Sequence, residues 1–100
     1  MIKHLTEKEN LQDLVKEGIK IVDFYADWCG PCRMMSPILE ELKDIDIIKI
    51  DIDKFQDLTV SNVVMSVPTL IFYKEGKELH REIGFKSREE LESIINSKLQ

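Results

Sequence analysis

Cys29 and Cys32 are the only cysteines in the chain, and three positions separate them. Thiols at i and i+3 of a first helical turn share a face, about 5–6 Å apart. A disulfide accepts Cα separations of about 4.4–6.8 Å, so this pair can close a bond and reopen it without large backbone movement. Gly30 and Pro31 lie between them, and proline is tolerated in a first turn, where its missing N–H has no partner to lose. Cys29 then meets unpaired amide groups and the positive end of the helix dipole, which favour its thiolate. A free thiol titrates near about 8.5, and lowering it toward neutrality speeds attack on a disulfide. Cys32, one turn deeper, is the resolving thiol in that reading.

Three plainer readings compete. Half of a zinc site needs further ligands, and the only histidines, His4 and His80, are not spaced as a knuckle. Inert core cysteines are a second reading. The third is a structural disulfide, which contributes little because so short a loop removes little unfolded-state entropy.

The surrounding elements follow from periodicity and punctuation. Residues 2–5 read as a short strand. Thr6 with Glu9 forms a capping box before Leu11, Leu14 and Val15 at helical spacing, and Gly18 is the stop. Residues 19–25 are mostly apolar on both faces, as in a central buried strand. The helix bearing the cysteines is predicted over about 29–43, with Pro37 inside it as a kink. A second strand is expected over 45–51, a weak helix over 54–62, and a hairpin of 69–73 and 78–83 around residues 74–77. Ser87 with Glu90 is a second capping box, opening a terminal helix through Leu91, Ile94, Ile95 and Leu99. The order β-α-β-α-β-α-β-β-α implies an α/β fold with a mixed sheet and helices on both faces.

Within these elements four residues stand out. Asp23 sits among Ile21, Val22 and Phe24, where an acid is costly unless paired or protonated; leaning to solvent at the strand end is the alternative. Lys49 interrupts an apolar run, for which a snorkelling side chain is the default. Pro68 reads as the start of a strand. Trp28, the single tryptophan, is by default a core residue.

Length and charge bound the rest. One hundred residues suit a single domain over 1–100, with 43% hydrophobic and 33% charged residues, as in soluble globular proteins. The net charge of −5 argues against nucleic-acid or anionic-membrane partners. No segment approaches the roughly 20 apolar residues of a membrane span. The charged N-terminus lacks a signal-peptide core, which points to the cytoplasm. No glycine-rich phosphate loop is present, so no nucleotide or flavin cofactor is expected, nor a metal. No heptad pattern opposes a monomer.

Asp27-Trp28-Cys29-Gly30-Pro31-Cys32, preceded by Val22-Asp23-Phe24-Tyr25-Ala26 and followed by Val67-Pro68-Thr69 and Ile83-Gly84, closely resembles the thioredoxin family over nearly the whole chain. The resemblance implies the thioredoxin fold and reduction of protein disulfides by exchange. Cys29 would be the nucleophile and Cys32 the resolving thiol. It further implies that Asp23 is the buried acid–base group behind Cys32, tuned by Lys49. Val67–Pro68 would be a cis bond beside the dithiol. A docking surface of Trp28, Gly30, Pro31, Val67, Pro68, Ile83 and Gly84 would receive substrate proteins. A thioredoxin reductase, linked to NADPH or ferredoxin, would be the recharging partner. Gly30-Pro31 matches reducing members; an oxidant or isomerase is the neighbouring reading, and a redox-silent binding module the one from another class. Four features depart from common family patterns: Tyr25 for a second tryptophan, Ser66 for a frequent glycine, Phe85 after Gly84, and a shorter stretch before Ile47.

Overall fold

The computed structural model describes residues 1–99 and follows the anticipated element order. Strands β1 (Ile2–His4), β2 (Ile19–Tyr25), β3 (Asp46–Asp51), β4 (Thr69–Lys74) and β5 (Lys77–Ile83) form one sheet in the order β1-β3-β2-β4-β5. The β1–β3 and β2–β3 pairs are parallel, and β2–β4 and β4–β5 antiparallel. The sheet is therefore mixed, and β2 lies at its centre.

Alternation along the strands sorts the core into two layers. Ile21, Ile47, Leu70 and Phe72 face one side, packed on Met35 and Leu39 of helix α2 (Gly30–Glu41) and Leu91 of helix α4 (Arg88–Ile94). Val22, Phe24, Ile48, Ile50 and Ile71 face the other side. There they meet Leu11 and Val15 of helix α1 (Leu11–Val15) and Leu58 of helix α3 (Gln56–Ser61).

Helix boundaries follow the caps, with one correction. Thr6 and Glu9 do bond, the Glu9 carboxylate accepting from the Thr6 amide and hydroxyl at 2.9 Å. That pair closes only a turn. The helix itself starts later, at Leu11, because the Asn10 carboxamide accepts from the amides of Gln12 and Asp13 and takes the N-cap role. The Ser87–Glu90 capping box forms as anticipated. The helix it opens leaves α geometry after Ile94 and finishes in a π-helical turn, Ile95–Leu99, which still buries Ile95 and Leu99. The hairpin turn is the tight pair Glu75 and Gly76, both at positive φ (50° and 83°). That is the backbone whose twist matches the flanking strands.

Candidate functional site

The dithiol sits where β2 ends and α2 begins. Cys29 is the N-cap of α2, in extended conformation, and Pro31 follows in the first turn. Cys29 and Cys32 are joined as a disulfide with Cα atoms 5.2 Å apart. The Cys32 amide donates to the Cys29 sulfur at 3.2 Å. Both cysteines are buried with Ala26, and Val67 and Ile52 pack against this cluster. Among the described residues no three His, Cys, Asp or Glu side chains converge as a metal site.

Beneath α2 one row of side chains crosses the sheet: His4, Lys49, Asp23 and Leu70 are register partners on β1, β3, β2 and β4. Asp23 is 3% exposed and Lys49 9%, so neither reaches solvent freely. The Lys49 ammonium lies 3.8 Å from Asp23 Oδ2 and also donates to Ser36 Oγ at 3.4 Å. Asp23 Oδ1 is buried without a hydrogen-bond partner. Burial pushes the Asp23 carboxyl up to about 6, and the Lys49 charge opposes that rise. The carboxyl thus changes protonation near neutral pH. Tyr25, one pleat further along the same face, lies with its ring 4.7 Å from the Lys49 ammonium and shares a hydrogen bond with His4 at 3.3 Å. A cleft of about 270 Å³ lined by Cys32, Ser36, Lys49, Tyr25 and His4 opens beside this row.

On the other flank of the dithiol, the Val67–Pro68 peptide bond is cis. Pro68 is buried and Val67 partly so. The Gly84 amide donates to the Pro68 carbonyl at 2.9 Å, and Gly84 itself holds φ 90°, a backbone only glycine adopts readily. Trp28 is not a core residue: it is 66% exposed, with its indole N–H donating to Asp53 at 3.0 Å. Pro31 and Ile83 are exposed, and Gly30 and Gly84 partly so. A side chain added at either glycine would point into open space. Of the seven residues singled out from the sequence, Trp28, Gly30 and Pro31 adjoin the cysteines in the chain, Val67 packs against the cysteine cluster, and Pro68 is joined to Gly84 at the neighbouring ends of β4 and β5, next to Ile83.

Sequence reasoning missed Asp53, which lies 25 residues from the tryptophan it holds, and Met65, 91% exposed just before Ser66. It also missed His4 as a neighbour of Tyr25. No local pattern marks any of these, since each acquires its place through sheet topology.

A disulfide between cysteines three apart at a helix start, with the residue before a cis-proline packed against it, is the arrangement of a thiol–disulfide oxidoreductase. The thioredoxin family model matches residues 1–97. Thioredoxin from Chlamydia pneumoniae is 43% identical, the alignment covering 96% of this chain and 97% of that protein. Thioredoxin from Chlamydia trachomatis is 40% identical over 92% and 94% of the two chains. Among solved structures, a point-mutant thioredoxin from Halobacterium salinarum superposes with a TM-score of 0.88 at 32% identity, covering 99% of this chain and 91% of that one. The chain belongs to the thioredoxin family, and with it to the protein-disulfide reductases.

Proposed function

We propose that Cys29 attacks the disulfides of substrate proteins, that Cys32 resolves the product, and that Asp23 and Lys49 manage the proton between these steps. The Cys29 thiolate bonds to one substrate sulfur and displaces the other as a thiolate, which takes up a proton. The Asp23 carboxylate then removes the Cys32 proton. The Cys32 thiolate attacks the Cys29 sulfur, closing the protein disulfide and expelling the second substrate sulfur as a thiolate, which takes up the proton that Asp23 gives back. Two electrons pass to the substrate, and the oxidised chain is the product.

Val67, beside cis-Pro68, offers its backbone to an extended substrate segment. Trp28, Gly30, Pro31, Ile83 and Gly84 form the surrounding surface, with small residues permitting close backbone approach. The observation that carries the reading is the disulfide at the start of α2, with the Cys32 amide donating to the Cys29 sulfur. A thioredoxin reductase, drawing on NADPH or ferredoxin, returns the two electrons, and the chain works as a monomer in the cytoplasm. No helix among the described residues is long and apolar enough to cross a membrane.

The test is trapping. Cys32→Ser should accumulate a mixed disulfide through Cys29 with a protein substrate, whereas Cys29→Ser should form none and lose turnover by about 10³-fold or more. A mixed disulfide through Cys32 in the Cys29→Ser protein, with turnover retained, would reverse the assignment.

A further inference from the structure

Helix α3 ends in a Schellman arrangement. The Val64 amide donates to the Thr59 carbonyl and the Val63 amide to the Val60 carbonyl, both at 3.0 Å. The left-handed residue that such an ending requires is normally glycine. Here it is Val63, at φ 55°, a β-branched side chain in a backbone that such residues resist. Two residues later the chain reaches Met65, then Ser66, Val67 and cis-Pro68. Whatever holds Val63 left-handed therefore sets the approach to the dithiol.

Arg81 of β5 supplies that hold. Its Nη1 donates to the carbonyl oxygens of Asn62 at 2.8 Å and of Val63 at 3.3 Å. Nε and Nη2 donate to the two carboxylate oxygens of Glu78, each at 2.9 Å. Residues three apart on a strand ordinarily face opposite sides of a sheet. A β-bulge removes that obstacle: Phe72 pairs with His80 and Tyr73 with Glu78, leaving Leu79 as the extra residue. Glu78 and Arg81 thereby share the side on which α3 packs. Downstream, the Thr69 hydroxyl donates to the Ser66 carbonyl at 2.7 Å. The segment between Val63 and Thr69 is pinned at both ends.

We infer that Arg81 is a positioning residue for substrate affinity, its fork to Glu78 and the α3 terminus holding strained Val63 and with it the Met65–Pro68 rim. The inference rests on the reading that Val67 and Pro68 carry the substrate segment. The rim contacts a protein substrate but is not needed by a small disulfide that meets Cys29 alone.

The full-length chain, recharged with dithiothreitol, is assayed on insulin and on dipyridyl disulfide. Arg81→Met should raise KM for insulin by about fivefold to tenfold with kcat held within about twofold, since a small misplacement of a positioning segment has effects of that order or greater. The rate on dipyridyl disulfide should stay unchanged. Adding Val63→Gly should restore KM, because glycine takes the left-handed backbone without help. An unchanged KM in Arg81→Met would overturn the inference, as would a parallel loss on both substrates, or failure of Val63→Gly to restore affinity. These failures differ from failure of the dithiol reading, in which Cys29→Ser would stay active on both substrates.

Discussion

The two sides of the central sheet are built from the same strands yet tolerate different residues. On the side covered by α1 and α3, Val22, Phe24, Ile48, Ile50 and Ile71 form an apolar centre, with the hydroxyl of buried Thr69 and the Glu78–Arg81 pair confined to its margin. On the side covered by α2 and α4, two neighbouring rows carry buried charged residues, Asp23 with Lys49 and then Asp51 opposite Tyr25. A buried acid with one carboxylate oxygen unpartnered weakens the fold. It lies on the α2 side, where Lys49 approaches it and bonds Ser36 of α2, and Lys49 and Ser36 in turn line the cleft that Cys32 borders. One side is packed around an apolar centre, and the other holds a titrating carboxyl beneath the helix that carries the dithiol.

The contrast is broken most directly by moving the acid across the sheet. Val22→Asp places a carboxylate at the apolar centre of the other layer, where no lysine pairs with it, and should cost about 3–5 kcal/mol or prevent folding. Denaturant unfolding reads the loss. Asp23→Asn should act oppositely. Because the folded carboxyl titrates at about 6 against 3.8 unfolded, the folded state holds the extra proton between these values. Folding stability therefore falls as pH rises through that window and stays reduced above it. Removing the charge should stabilise the protein by ~3 kcal/mol at pH well above 6, with the gain gone at about pH 4. The same substitution should slow turnover by about tenfold or more at neutral pH, as loss of a general base does.

Lys49→Met sharpens the comparison further. Without the opposing positive charge, the Asp23 titration should move above about 6, seen as an upward shift of the acid limb in the pH–rate profile. An unmoved limb would mean that the pair is not coupled. The smallest effect lies on the packing side. Asn10→Ala should cost about 1 kcal/mol through loss of the α1 cap, while Thr6→Ala should cost less, since Thr6 caps a turn and no helix.

These cases also show what the sequence could disclose. Elements set by local chemistry were readable: the apolar runs of β2 and β3, the Ser87–Glu90 box, and the cysteine spacing over Gly30-Pro31. The Thr6–Glu9 pair misled because side-chain bonding in a capping box is satisfied equally by a single turn; Asn10, closer to the first apolar residue, was the stronger cap. The π-helical turn at Ile95–Leu99 has no breaker residue to announce it. Arg81 and Asp53 were illegible for a different reason. Each binds a segment distant in sequence, 19 and 25 residues away, brought near by strand order and, for Arg81, by a bulge at Leu79. Asp23 and Lys49 fall between these cases. Their apolar settings were visible in the chain, but their pairing across β2 and β3 required the register.

If Cys29 and Cys32 form a reducing couple, the reduction potential of the pair must lie in the reducing range. The chain is equilibrated against defined dithiol buffers and its free thiols counted by mass-tagging. A value near or below about −230 mV is predicted, within the range of protein reductases. A value between about −120 and −180 mV would contradict the account and assign the dithiol to oxidation or isomerisation.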